Sequence, residues 1–318
     1  MSNLFQVKDL HVEFSSTKKI SGEKEKIYAV NGINLDIKEG EILAIAGESG
    51  CGKSTFSRSL MLLEKITSGD ILFNGESIKT FTPEKMHNFR NRVQMIFQNP
   101  YASLNPKMKI YDILEEPLII NTKLKRAERK KIIEEKILQV GLETSVLEKY
   151  PHEFSGGQRQ RITIARALVL NPSCLIADEP VSALDVSIQA QIINLLKDLK
   201  EKYNLTILFI SHDLRVIQYL ADRVAIMYLG EIVELADKND LFRNPLHPYT
   251  QALLQAIPTF NENKKSQNIL EGDLPTPRKI LNNCKFCTRC PQVTDICNKN
   301  HPLLKSIDST HFVRCFLK

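Results

Sequence analysis

Residues 47–55 read Gly47-Glu48-Ser49-Gly50-Cys51-Gly52-Lys53-Ser54-Thr55, and this stretch decides the fold. It fits the pattern G-x-x-x-x-G-K-S/T. Immediately upstream, Glu41 to Ala46 is a nearly continuous apolar run of the buried, parallel-strand type. Immediately downstream, Thr55 to Leu63 is compatible with a helix. Strand, glycine-rich loop and helix in that order make a cradle for phosphate groups. The glycines let the backbone curl until successive N–H groups point inward, and the helix aims its positive end at the same place. Lys53 is placed to reach the β- and γ-phosphates of a nucleotide, and the Ser54 hydroxyl suits Mg²⁺. Cys51 reads as a small loop residue.

Working outward, the first segment predicts strands. Phe5 to Val7 and His11 to Phe14 are short β-type runs, and a polar stretch, Ser15 to Lys26, separates them from Tyr28 to Val30 and Ile33 to Ile37. Residues 107–150 read as mostly helical, and Lys125 to Val140 carries Ile132, Ile133, Ile137 and Val140 as the stripe of a surface helix. The basic cluster Lys123, Lys125, Arg126, Arg129, Lys130 and Lys131 has no interleaved aromatics, so it reads as a solvated helix face rather than a nucleic-acid site. Further on, the strands Cys174 to Ala177 and Thr206 to Ile210 flank a helix over Ile188 to Lys202. That βαβ rhythm predicts a parallel sheet covered by helices.

Composition narrows the class. The chain has 318 residues, 42% apolar and 25% charged, which is ordinary for a globular protein and excludes collagen-like or wholly disordered chains. The apolar runs, such as Ile42 to Ala46 and Leu205 to Ile210, are far short of the roughly 20 residues that span a bilayer. Met-Ser-Asn-Leu-Phe is not the start of a signal peptide. The expectation is a cytosolic protein that reaches a membrane only through other chains. The net charge of +6 is unevenly spread, with residues 261–318 carrying +5. A polar linker with Pro275 and Pro277 is expected just beyond residue 260.

Two further stretches carry chemistry. Cys174 to Glu179 is an apolar strand ending in two carboxylates, where ligands bind in open α/β sheets. Asp178 would hold Mg²⁺ through its water shell, and Glu179 would polarise the attacking water. Phe154-Ser155-Gly156-Gly157-Gln158 precedes a helical stretch, Arg159 to Leu170. A serine N-cap followed by two glycines is a second anion-binding helix end. Two such ends in one chain are redundant unless they serve two nucleotides. The simplest geometry is a head-to-tail pair of subunits, each capping the nucleotide held by the other. The plainer alternative is a glycine-rich helix cap and no more.

With these pieces in hand, the chain resembles an ATP-binding cassette (ABC) ATPase subunit. Gly47–Thr55 matches the Walker A segment, Gln98 the Q-loop, Phe154–Gln158 the signature, Asp178-Glu179 the Walker B end, Asp185 the D-loop and His212 the switch, all in the family order. Phe154 stands where leucine is usual. The resemblance implies an α/β P-loop fold with a RecA-like core, a mixed sheet and a helical subdomain about residues 99–165, all within a cassette over residues 1–260. It implies ATP and Mg²⁺ as ligands. Glu179, His212 and Gln98 would be catalytic; Ser54, Gln98 and Asp178 would serve Mg²⁺. Tyr28, Gly47, Ser49, Gly50, Gly52, Lys53, Ser54 and Thr55 would bind nucleotide, and Ser155, Gly156, Gly157 and Gln158 would complete the site of a second subunit. Phe97 to Pro106 and Pro245 to Leu254 are similar to strings of the oligopeptide and dipeptide importers. In that family two related ATPases, here expected as a heterodimer of paralogues, sit beneath two permeases on the cytoplasmic face of the membrane, and an extracytoplasmic binding protein delivers solute. Relatives that import nickel, metal chelates or glutathione share these strings. A soluble ABC ATPase acting on nucleic acid or ribosomes is the rival class, disfavoured by a single cassette without sustained heptads.

The tail over residues 261–318 is expected to form a small separate module. Its cysteines are spaced Cys284-x2-Cys287-x2-Cys290-x6-Cys297-x17-Cys315. Such density in a cytosolic tail points to metal rather than disulfides, and thiolate ligation suits an iron–sulfur cluster or Zn²⁺. Cys284, Cys290, Cys297 and Cys315 match the C-terminal pattern of the peptide-importer ATPases, read in some members as a 4Fe–4S site; Cys287 is an additional candidate. A redox sensor that gates the ATPase is a third reading of the same tail.

Overall fold

The computed structural model describes residues 2–20, 23–257 and 282–318. In chain order the strands are β1 (Asn3–Ile20), β2 (Glu23–Lys38), β3 (Ile42–Ala46), β4 (Ser68–Phe73), β5 (Glu76–Ser77), β6 (Val93–Ile96), β7 (Cys174–Asp178), β8 (Thr206–Ile210), β9 (Arg223–Tyr228), β10 (Glu231–Asp237), β11 (Lys305–Ser306) and β12 (Phe312–Val313). The helices are α1 (Lys53–Leu60), α2 (Pro83–Arg92), α3 (Pro100–Ser103), α4 (Ile110–Asn121), α5 (Arg126–Gln139), α6 (Gly156–Leu168), α7 (Val186–Tyr203), α8 (Leu214–Leu220), α9 (Lys238–Arg243), α10 (Pro248–Gln255) and α11 (Asp295–Lys299). They fall into two compact units, one of residues 1–79 and 211–318, the other of residues 80–210.

In the first unit an antiparallel sheet runs in the order β2-β1-β4-β5. A second set places β3 parallel to β9, then β10, β12 and β11 as antiparallel neighbours. All five residues of β3 are buried, as the unbroken apolar run requires of a strand covered on both faces. The anticipated break between Phe14 and Tyr28 does not occur. The β1–β2 pairing continues through Lys19↔Lys24 and Ile20↔Glu23. A hairpin can extend as a polar ribbon because its ladder bonds are made by backbone, not by side chains. Register shifts along β1, as between Val7 and Leu10, merge the two expected short runs into one irregular strand.

The second unit builds a parallel set, β6-β7-β8, with Ile96↔Ala177 and Ala177↔Phe209 in register. The stripe on α5 packs as expected, with Ile133, Ile137 and Val140 buried. Most of the basic cluster is exposed; Arg129 is held by Glu115 at 2.9 Å. Among the described residues no helix is long and apolar enough to cross a membrane. The linker expected just past residue 260, with Pro275 and Pro277, lies outside the described residues.

Candidate functional site

The phosphate loop joins β3 to α1, and crowding explains its glycines. Gly52 has φ 108°, and a Cβ there would lie 2.1 Å from the Ala29 carbonyl oxygen. At Gly47 a Cβ would lie 2.2 Å from the Met227 carbonyl oxygen. Any side chain would push the loop off the backbone beneath it. The Gly230 N–H also donates to the Cys51 carbonyl at 2.8 Å, tying the loop to the β9–β10 turn. Lys53 is buried at the start of α1, and its ammonium donates to the carbonyls of Gly47 at 2.7 Å and Glu48 at 2.9 Å. The cation thus lies across the concave face of the loop. Ser49 and Gly50 are exposed at its rim, and Ser54 and Thr55 are half-buried in the first turn of α1. Tyr28 is half-buried on β2, opposite Glu13. In the same unit His212 is exposed just after Ser211, whose N–H donates to the Ile45 carbonyl at 3.2 Å.

The second unit carries the carboxylates. Asp178 ends β7 and is 1% exposed. Glu179 follows with φ 46°, a left-handed conformation unusual for a residue with a Cβ. Such strain costs about 1–3 kcal/mol and persists where the surroundings impose it. Here its N–H donates to the Ile210 carbonyl at 3.0 Å, and its own carbonyl accepts from the Ser182 hydroxyl at 3.1 Å. Its carboxylate accepts a bond from Gln98 Nε2 at 2.9 Å. No pattern links these two residues, 81 positions apart along the chain; the structure brings them together. The hydroxyl, carboxylate and amide oxygens of Ser54, Asp178 and Gln98 are the hard donors that Mg²⁺ prefers.

Ser155 caps α6. Its hydroxyl accepts from the Gln158 N–H at 3.3 Å, and the Gln158 side chain accepts from the Ser155 N–H at 3.0 Å. This reciprocal capping box is what the serine and glutamine do within the chain. Both side chains are nonetheless exposed. Gly157 is buried, and a Cβ there would lie 2.5 Å from Ile188 Cγ2, so it marks the close approach of α6 to α7. Asp185 caps α7, accepting from the Ile188 N–H at 3.0 Å and the Ser187 hydroxyl at 2.7 Å. Those bonds hold its carboxyl below the usual aspartate range.

The cysteines behave differently from the expectation. Cys284, Cys287, Cys290, Cys297 and Cys315 are all free thiols. Burial, with smaller contributions from Cys297, Cys287 and Cys290, pushes Cys284 up to about 12. Burial likewise raises Cys287, Cys290 and Cys315. Yet among the described residues no three His, Cys, Asp or Glu side chains form a group able to hold a metal ion. The residues as arranged do not fit the expected 4Fe–4S or Zn²⁺ site, because neighbouring sulfurs must also converge on one centre.

A family model of ABC transporters matches residues 30–182. A model of the oligopeptide/dipeptide transporter C-terminal region matches residues 233–297. The chain is 50% identical over 295 residues to the oligopeptide transport ATP-binding protein AppF of Bacillus subtilis, covering 92% of this chain and 90% of that protein. The chain belongs to the ABC transporter ATP-binding proteins of the oligopeptide/dipeptide type. It is also 44% identical to the dipeptide transport ATP-binding protein DppF of Escherichia coli, covering 98% of this chain and 94% of that one. Among solved structures it is similar to the ABC transporter cassette MJ0796 in a dimeric, post-hydrolysis state bound to ADP and Pi. That match has a TM-score of 0.65 and 31% identity, covering 74% of this chain and 98% of the cassette. As a member of this family the chain is an ABC-type ATPase that uses ATP and Mg²⁺. The family model for the C-terminal region begins at residue 233, inside β10, well before the cysteines.

Proposed function

We propose that this ABC ATPase drives uptake of oligopeptides or dipeptides. It would do so as one of two ATP-binding subunits, the other a paralogue, beneath two permeases on the cytoplasmic face of the membrane, with solute delivered by an extracytoplasmic binding protein. The observation that carries the reading is the C-terminal match over residues 233–297, which adds a peptide-transporter segment to a general cassette. The names of the oligopeptide and dipeptide relatives support the same solute class.

In this reading Gly47, Ser49, Gly50, Gly52, Lys53, Ser54 and Thr55 bind the phosphates and Tyr28 stacks on the adenine. Ser54, Gln98 and Asp178, the last through its water shell, would hold Mg²⁺, which would supply charge neutralisation on the phosphate oxygens. Lys53 exchanges its carbonyl partners for phosphate oxygens. Glu179 accepts a proton from the attacking water, with Gln98 holding its carboxylate and His212 orienting the γ-phosphate side. Ser155, Gly156, Gly157 and Gln158 close over the nucleotide of the second subunit, with Asp185 beside them. Catalysis is then mainly positioning and charge stabilisation.

The test is uptake of a labelled peptide into vesicles carrying this chain with its permeases and second cassette. ATP-dependent accumulation supports the reading. Accumulation of nickel, a metal chelate or glutathione in place of peptide would reassign the solute, and nucleic-acid-stimulated ATPase without permeases would reassign the class.

A further inference from the structure

The C-terminal region grips the phosphate loop at Glu48. The two terminal nitrogens of Arg289 donate to the two carboxylate oxygens of Glu48 at 2.7 and 2.9 Å, a bidentate pair. The Arg289 side chain is only 7% exposed, and that of Glu48 is 26%. The loop is held a second time at the same residue, where the Glu48 N–H donates to the Tyr249 hydroxyl at 2.9 Å. Arg289 is not a roving surface cation. It closes the short turn Cys287–Arg289, and the preceding Phe286 is buried against Tyr228 at 5.3 Å and Tyr249 at 5.5 Å between ring centres. Next to it, the Lys285 ammonium donates to the Leu229 carbonyl at 2.9 Å, in the turn whose Gly230 bonds the loop.

The charge is what makes this contact informative. Glu48 is the second residue of a loop whose backbone cradles a polyanion, and a carboxylate there repels the ligand. A guanidinium keeps its charge at every relevant pH, and its planar fork fixes both oxygens. Because the pair is largely out of water, salt screens it less than a surface pair. We propose that Arg289 is a positioning residue for nucleotide binding: it cancels the charge of Glu48 and fixes the second residue of the phosphate loop, so that the C-terminal region forms part of the support of the nucleotide site. The inference rests on the reading of residues 47–55 as the ATP loop.

The experiment titrates a fluorescent ATP analogue against the full chain and its Arg289→Ala, Arg289→Lys, Glu48→Gln and Arg289→Ala/Glu48→Gln variants, with thermal midpoints measured alongside. Arg289→Ala should weaken binding about tenfold, or ~1.4 kcal/mol. Glu48→Gln should bind at least as tightly as the parent. Adding Glu48→Gln to Arg289→Ala should restore affinity to within about twofold of the parent, because the two sites share one interaction. Arg289→Lys, which keeps the charge but loses the fork, should recover only part of the affinity that Arg289→Ala loses, and the Arg289→Ala deficit should shrink at high salt. Parent-like binding by Arg289→Ala overturns the proposal. So does weak binding that Glu48→Gln fails to rescue while the thermal midpoint falls, because Arg289 is then only a strut. A parent chain that binds no analogue overturns the loop assignment itself, before any variant is compared.

Discussion

Glu179 is held by three constraints at once: a left-handed backbone, a bond from its N–H to Ile210 and a bond from Gln98 at 2.9 Å. Glutamine in its place keeps the length of the side chain and loses the basic oxygen. Glu179→Gln should therefore bind ATP like the parent and turn it over at least ~100-fold more slowly, as expected for loss of a general base; steady-state phosphate release and nucleotide titration check the two halves. The identity of this residue was readable in Asp178-Glu179 at the end of an apolar strand. Its strain was not, since nothing about a Glu-Pro pair in sequence reports φ 46°. Gln98 was readable only through family resemblance, because an amide in a loop has no spacing that announces its distant carboxylate.

At the level of elements, apolar runs found β3, β7 and β8, which are short but wholly buried, and the pattern of apolar and capping residues found α5, α6 and α7 within a few residues. The β1–β2 ribbon was missed because polar residues extend it without a hydrophobic pattern. Close helix contacts were also invisible. Gly157 in the signature was read for its N–H, yet its missing Cβ is what makes room for Ile188, whose Cγ2 would lie 2.5 Å from a Cβ placed there. Ile188 is β-branched and cannot swing its Cγ2 aside cheaply. Gly157→Ala should destabilise by about 1–3 kcal/mol, and Ile188→Ala in the same chain should recover part of it in thermal denaturation.

A second prediction belongs to α10, whose N-cap is His247. Its Nδ1 accepts from the Tyr249 N–H at 3.1 Å. Burial lowers its pKa from 6.5 to about 4, against the opposing pull of Glu234 and with Arg314 also nearby. Between those values the unfolded chain binds a proton that the folded chain does not. The contribution to stability is therefore complete above pH 6.5 and lost as the pH falls toward 4. Asparagine can cap the same helix without titrating. Chemical denaturation at pH 7.5 and pH 5 should show the parent losing about 2 kcal/mol more than His247→Asn.

For the whole molecule, the proposed function requires the exposed Ser155 and Gln158 to meet the nucleotide of a second cassette. Glu179→Gln with ATP and the second cassette should run as a closed pair in light scattering, and Lys53→Ala should abolish that pairing. The capping role of Ser155 was legible in the Ser155-Gly156-Gly157-Gln158 run ahead of a helical stretch, and the structure has Ser155 as the N-cap of α6. The tail was less legible: its cysteine density suggested a separate module, yet its described residues belong to the same compact unit as residues 1–79, and density alone does not converge sulfurs on a metal. What the tail does with Lys285, Phe286 and Arg289 came from contacts far along the chain, such as Lys285 with Leu229 and Arg289 with Glu48, which no local pattern records.

Phe286 is 2% exposed, wedged among Tyr228, Tyr249 and His247. A gene trimmed to end before residue 282 would strip that plug, lay bare a greasy aromatic face and release Glu48 from Arg289. Such shortened proteins should collect as inclusion bodies, and crystallisation or screening campaigns on this subunit are better begun from the untrimmed reading frame.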